Sequence, residues 1–360
     1  MDNADLRLIV FNSIKSFGEK VDLELQNLNN TSESYIVKIK EDVFSSGESK
    51  VTLLDSIRGK DLYIFQDVCN YSKTYKMRGL TNHFSPNDYF KQIKDVVGAI
   101  NGHAKRITVV MPYLIDGRQH RRNSREPLSC AMDLQELKSI GVDSLVSLSL
   151  HSGGVKNALP LNSFENIFPT NTILKSFVIN ENKNVDFSNL IIISPDLGAS
   201  DKAKYYAEML NVKYGIFEKN RDYSKVIDGK NKIISHDYLG PDLSGKDIFV
   251  VDDMISSGES MIDVAREAKR RGANKIYVAV SFALFTGGMK EFDECYKEGI
   301  FEKIYTTNTT YIDPSIANRP YIEIVDCSCL FARIINRMNK NKELSSVLSE
   351  KENVMQYIYK

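Results

Sequence analysis

The sequence predicts an α/β protein of two domains, each a central, mostly parallel sheet flanked by helices. Three observations carry this expectation. The chain has 360 residues, more than one ordinary hydrophobic core accommodates. Short apolar runs of strand length alternate with segments of helical periodicity, the pattern of parallel strands joined by crossover helices. The alternation occurs twice, once before about residue 150 and once after about residue 185. The expected domains are 1–165 and 166–360, with the last helix packing back on the first.

The strand-like runs come in order: RLIVF (7–11), DLYIFQ (61–66), ITVVMPY (107–113), LVSLSL (145–150), NLIIISPD (189–196), KYGIFEK (213–219), DIFVVDD (247–253) and KIYVAVSF (275–282). Helical patterns separate several of them. SPNDYFKQIKDVVGAINGH has apolar residues at 90, 93, 96, 97 and 100, and Ser85-Pro86 suits a helix start. GASDKAKYYAEMLN reads as a helix from about 199 to 210. ESMIDVAREAKRRG runs to Gly272, a natural helix-terminating glycine. NLNNTSESY (27–35) is polar and reads as a surface loop.

Composition narrows the classes of function. Lys plus Arg is 47 and Asp plus Glu is 47, so no basic excess argues for nucleic acid or an anionic membrane. No apolar run reaches the length of a membrane span. The start, MDNADLRLIVFNSIKS, lacks a basic region followed by an apolar core, so no secretory leader is expected. The five cysteines are scattered and odd in number, which fits reduced thiols in the cytoplasm. Cys327-Ser328-Cys329 reads as buried small residues rather than a metal site.

The most informative stretch is DIFVVDDMISSGESMIDVAREAKRRG. An apolar strand stops at two adjacent carboxylates, Asp252 and Asp253, followed by a small-residue loop and an amphipathic helix. In open α/β sheets ligands sit beyond the carboxyl ends of strands. Ser256, Ser257, Gly258 and Ser260 offer hydroxyl and backbone N–H donors, and the helix start suits a phosphate. The carboxylates suit ribose hydroxyls, or Mg2+ through water. Phosphate and sugar hydroxyls together describe a phosphorylated ribose. The plainer alternative is a strand–turn–helix with a serine cap.

Val251 to Ser260 resembles the phosphoribosyl-pyrophosphate (PRPP) binding motif of phosphoribosyltransferase-type folds, with Ser256 and Glu259 at positions where an acid and a glycine are common. A second segment, ITVVMPYLIDGRQHRRNSREPLSCA, resembles ribose-phosphate pyrophosphokinase, the PRPP synthetase family, at Pro112-Tyr113, Arg118-Gln119, Arg121-Arg122, Arg125, Pro127 and Ser129. Without the resemblance these arginines would read as a solvated basic loop or a polyphosphate clamp. A third, VFSSGESKVTLLDSIRGKDLYIFQ, fits the family at Phe44, Gly47, Glu48, Ser56, Ile57, Arg58, Gly59, Asp61 and Gln66. The C-terminal region follows the family's closing strand and helix. The chain is therefore identified as a divergent member, with two phosphoribosyltransferase-like domains.

The resemblance implies transfer of the pyrophosphoryl group of ATP to the 1-hydroxyl of ribose 5-phosphate. It implies Lys219 and Arg221 as catalytic cations at the start of a mobile loop, and Phe44, Ser46, Gly47, Glu48, Arg118, Gln119 and His151 as ATP-binding residues. It implies Asp252, Asp253, Ser256, Ser257, Gly258, Glu259 and Ser260 as the ribose 5-phosphate site, and His151 and Asp196 as contacts of Mg2+. It also implies a homo-oligomer built from dimers, up to a hexamer. His83, His103 and His236 read as structural. Five positions depart from the family pattern: Ser46, His120, Ser149, Asn162 and Ser256. Two alternatives stay open: a non-catalytic, regulatory relative, and a phosphoribosyltransferase that consumes PRPP.

Overall fold

The computed structural model describes residues 5–181, 183, 185–227 and 230–348, with the side chains of 219–236 outside that description. The chain divides into two units. The first holds Met1–Pro169 with Asn308–Asp313 and Asp326–Glu350, and the second holds Thr170–Thr307 with Pro314–Val325.

In the first unit, β1 (Leu6–Val10) leads into α1 (Lys15–Asn29), then two short strands β2 (Ile39–Val43) and β3 (Ser49–Leu53) form a hairpin. β4 (Asp61–Phe65) is buried at all five positions. A second hairpin, β5 (Thr74–Met77) and β6 (Leu80–His83), precedes α2 (Pro86–Ile100). β7 (Arg106–Val110), α3 (Ser129–Ser139), β8 (Ser144–Leu148) and β9 (Ser163–Ile167) complete a five-stranded sheet of order β1-β4-β7-β8-β9. All its pairings are parallel.

Alternation along the strands feeds two faces. Ile9, Leu62, Ile64, Val109 and Met111 pack with Phe90, Ile93, Val96 and Val97 of α2 and with Leu134 and Leu137 of α3. Burying each such side chain stabilises the fold by about 1.5–3 kcal/mol relative to exposure. On α1, Gly18 permits close approach to β1, because a Cβ there would lie 2.3 Å from a Val10 methyl. The start of α2 is the one expected: Ser85 Oγ accepts the Asp88 N–H at 3.3 Å, and Asp88 Oδ2 accepts the Ser85 N–H at 2.7 Å.

Two expectations for this unit are corrected. The polar stretch 27–35 is not all loop, because α1 runs to Asn29 and Asn30 ends it in the left-handed region at φ 51°. Asp22 on α1 then gathers the rest of the stretch, accepting the Tyr35 N–H and the Ser34 hydroxyl at 2.8 Å each. Of the two clustered cysteines, Cys327 is buried and Cys329 is exposed, as the start of a helix turns them to different faces.

The second unit begins with α4 (Thr170–Glu181), followed by β10 (Leu190–Ser194) and α5 (Ser200–Leu210). β11 (Lys213–Ile227) and β12 (Lys230–Leu239) form a long hairpin. β13 (Asp247–Ile255), α6 (Glu259–Arg270), β14 (Ile276–Ala283), α7 (Lys290–Lys297), β15 (Lys303–Thr307), the short α8 (Pro314–Ala317) and β16 (Ile322–Val325) follow. The seven strands order as β12-β11-β10-β13-β14-β15-β16. Only the β11–β12 pairing is antiparallel. Ile248 and Val250 point to a core with Ile262 and Val264 of α6, while Phe249 and Val251 point to the opposite core with Phe177 and Tyr206. Phe177 stacks on Phe249 with ring centres 4.2 Å apart. After β16 the chain returns to the first unit as α9 (Ser328–Asn339), where Phe331 meets Phe17 of α1 edge-on at 5.1 Å.

Candidate active site

β13 does not stop at its acids. It continues through them to Ile255, held by parallel pairing of Asp252 with Val280, Met254 with Phe282 and Ile255 with Ala283. The two carboxylates therefore lie inside the strand's last turn of alternation. Asp253 is buried and Asp252 half-buried, and the Asp253 N–H donates to Asp252 Oδ1 at 2.7 Å. Burial pushes the Asp252 carboxyl well above the usual carboxylate range, and the charge of Asp253 and a hydrogen bond to it add to the rise.

The loop Ser256-Ser257-Gly258 then turns into α6. Gly258 is the residue before the first helical turn, at φ 101°, and no side chain caps the helix. A glycine thus stands where the plainer strand–turn–helix alternative has a serine cap. A Cβ at Gly258 would lie 2.4 Å from the Phe292 ring, so only glycine passes here without displacing α7. The Ser256 carbonyl accepts the Thr286 N–H at 2.9 Å, which ties the loop to the segment after β14. Glu259 and Ser260 open α6 itself, in the first turn where backbone N–H groups lack helical partners.

Asp196 follows the neighbouring strand β10. Its Oδ1 accepts the Gly198 and Ala199 N–H groups at 2.9 and 3.2 Å, which caps the turn into α5. Two residues into α5 stands Lys202, which the sequence reading missed. Burial pulls its ammonium below the usual range, opposed by the charges of Asp253, Asp252 and Asp196. One lysine thus faces three carboxylates contributed by two adjacent strands. A lysine in the first turn after a strand-ending acid was the available signal, but two of its three partners, Asp252 and Asp253, lie some fifty residues further along the chain.

In the first unit, Phe44 to Glu48 form the tip of the β2–β3 hairpin. The Phe44 N–H bonds to the Glu48 carbonyl at 2.9 Å, the Gly47 N–H returns to the Phe44 carbonyl at 2.8 Å, and Gly47 has φ 90°. Ser46 donates its hydroxyl to Glu48 Oε2 at 2.7 Å, and Phe44 is 52% exposed. Arg118 and Gln119 are exposed on the loop after β7. Asp116 orients Gln119, taking its backbone N–H at 2.7 Å and its side-chain amide at 2.9 Å. His151 lies just past β8, behind Ser149, which takes φ 45°. His120 stands beside it, its ring centre 5.4 Å away. Burial, with the neighbouring His151 and Arg121, pulls the His120 imidazole below its ordinary range.

The backbones of Lys219 and Arg221 lie in β11, not in a loop as the family resemblance implies. Lys219 pairs with His236 and Arg221 with Ile233, on either side of a bulge. Their side chains lie outside the described residues.

Comparison with known proteins matches these features. The N-terminal domain of ribose phosphate pyrophosphokinase matches residues 6–141, and the phosphoribosyl transferase domain matches residues 164–315. The chain belongs to the ribose-phosphate pyrophosphokinase family. The ribose-phosphate pyrophosphokinase of Chromobacterium violaceum is 27% identical over 310 residues, covering 85% of this chain and 86% of that one. The one from Pasteurella multocida is 26% identical, covering 85% and 89%. In fold, the chain matches the phosphoribosylpyrophosphate synthetase from Mycobacterium smegmatis with a TM-score of 0.75 at 21% identity, over 94% of this chain and 99% of that one.

Ribose-phosphate pyrophosphokinases use a metal ion. The carboxylates of Asp196, Asp252 and Asp253 are hard oxygen donors, and their charges act together on Lys202. Among the described residues no group of three or more His, Cys, Asp or Glu comes together to hold a metal ion by itself, so an ion bound here would keep water and phosphate oxygens among its ligands. Among the described residues no helix is long and apolar enough to cross a membrane.

Proposed function

We propose that this chain is a ribose-phosphate diphosphokinase that transfers the pyrophosphoryl group of ATP to the 1-hydroxyl of ribose 5-phosphate, releasing AMP and PRPP. The observation that carries the reading is the end of β13, where an acid pair precedes a glycine-hinged loop and the start of α6. In this role Asp252 and Asp253 accept hydrogen bonds from ribose hydroxyls. The N–H groups of Ser257 to Ser260 and the helix dipole hold the 5-phosphate.

Phe44, Ser46, Gly47, Glu48, Arg118, Gln119 and His151 bind ATP. The exposed aromatic ring of Phe44 offers a stacking face, and Arg118 offers a planar fork for phosphate oxygens. Asp196 and His151 contact Mg2+, which supplies charge neutralisation on the phosphates when bound. Lys219 and Arg221 stabilise charge on the transferring group. Such a transfer needs positioning and electrostatic stabilisation more than covalent help from the protein. The enzyme works in the cytoplasm as a homo-oligomer built from dimers.

The test is incubation with ATP, ribose 5-phosphate and Mg2+, with AMP and PRPP measured together. Both should form, and Lys219→Ala should abolish them. A second reading is favoured by Ser46, Ser149 and Asn162, which stand where the family has acids: a regulatory relative would bind nucleotide or sugar phosphate without turnover. Consumption of PRPP with a free base instead would mark a phosphoribosyltransferase.

A further inference from the structure

His120 and His151 form a pair whose spacing matters. Their ring centres are 5.4 Å apart and their planes meet at 62°. The pair arises because the parallel neighbours β7 and β8 end side by side, with Val110 opposite Val146, and each sends a loop from the same edge. That edge is well fastened. The Leu148 N–H bonds to the Pro112 carbonyl at 2.9 Å, and the Ser149 N–H bonds to the Ile167 carbonyl at 2.8 Å. The Leu150 N–H donates to Asn166 Oδ1 at 3.0 Å. On the other loop the Gly117 N–H bonds to the Leu114 carbonyl at 3.1 Å. His120 Nδ1 is enclosed beside the Gly117–Arg118 backbone, yet has no well-formed hydrogen bond among the described residues.

Two imidazoles that share one tetrahedral metal ion have a characteristic separation. With metal–nitrogen bonds of about 2.1 Å, ring centres about 1.1 Å beyond each nitrogen, and a tetrahedral angle at the metal, the centres lie about 5.2 Å apart. The observed spacing agrees with this. We propose that His120 and His151 together form a two-imidazole site for a borderline first-row divalent ion such as Co2+ or Zn2+. The inference builds on the metal contact assigned to His151 above and adds His120 as its second donor.

Imidazole nitrogen favours Co2+, Ni2+ and Zn2+, whereas Mg2+ favours oxygen. Among the described residues no group of three or more His, Cys, Asp or Glu converges to hold a metal. The remaining coordination positions are therefore taken by water or by nucleotide phosphate, as in an open catalytic site. Histidine at 120 shifts the preferred ion of the site away from magnesium and towards nitrogen-loving metals.

Metal-free full-length protein, without nucleotide, is titrated with Co2+ while visible absorption is recorded. Wild type should develop the strong bands of four- or five-coordinate Co2+. His120→Ala and His151→Ala should each weaken binding about tenfold or more, and equimolar Mg2+ should not displace the ion. His120→Asn, which keeps the size of the side chain, should behave as His120→Ala, and its melting temperature checks the fold. The inference is overturned if His120→Asn keeps the wild-type spectrum and affinity, or if Mg2+ displaces Co2+ at equal concentration. PRPP formation with Mg2+ and ATP is measured on the same preparations. The same assay is run with Co2+, and absence of PRPP with both ions beside an intact Co2+ site would sink the proposed function and leave this site standing.

Discussion

Asp67, in the bend after β4, accepts the backbone N–H of Tyr311 on Oδ2 at 2.7 Å across 244 residues of sequence. Its Oδ1 accepts the Cys69 N–H at 2.8 Å. One buried carboxylate thus fastens the segment 308–313 to the sheet of the first unit, where Tyr311 also meets Tyr71 edge-on at 5.2 Å. Burial raises the Asp67 carboxyl to about 7, against the lowering effect of the two N–H bonds.

That shift makes stability depend on pH. The folded protein keeps a proton on Asp67 that the unfolded chain loses near pH 4. The stabilisation is present in full below about pH 4 and is lost as pH rises towards 7, by roughly 4 kcal/mol at most for a shift of about three units. Asp67→Asn removes the titration but also one backbone acceptor. It should be less stable than wild type at pH 5, with the gap closing by pH 8. Urea unfolding at both pH values checks this; parallel slopes for the two proteins would refute it.

Gly258→Ala places a methyl against the Phe292 ring in a backbone region that alanine avoids. The loop must shift, and the variant should lose about 1–3 kcal/mol of stability. Because the loop is assigned to the 5-phosphate, KM for ribose 5-phosphate should rise while KM for ATP stays near wild type. A rise in both to the same degree would argue against that assignment.

Lys202 lowers the Asp252 carboxyl against burial. In Lys202→Met that help is gone, so the carboxyl moves further up. If catalysis needs the ionised pair, the acidic limb of the kcat/KM profile for ribose 5-phosphate should move to higher pH. Kinetics between pH 6 and 9 read this directly, and an unmoved limb would remove Lys202 from the site.

Arg106 holds Asp61 with both forks, Nε to Oδ1 at 2.8 Å and Nη2 to Oδ2 at 2.6 Å, and also donates to the Met338 carbonyl at the end of α9. Asn339 adds a bond to Asp61 at 2.8 Å. Asp61 is buried, so Arg106→Met strands its charge and should cost about 3 kcal/mol. Replacing both with apolar residues should recover much of that loss. Thermal unfolding of the single and double variants tests it.

What could be read from the sequence was whatever a short window encodes. Four apolar residues before Asp252 announced β13, Ser85-Pro86 announced α2, and Gly272, at φ 86°, closed α6 as expected. The β11–β12 hairpin was half hidden, because after Phe217 its residues are mostly polar and carry no apolar alternation. Which residues meet was decided elsewhere. Lys202 faces its three carboxylates only because Ile193 pairs with Val250. His120 reaches His151 only because β7 lies beside β8. Residues 308–313 and 326–348 belong with the first unit although they follow the second in the chain. Periodicity reports the face a residue turns to the core; strand order and loop closure choose its neighbours, and those depend on contacts between residues far apart in the chain that no local pattern contains.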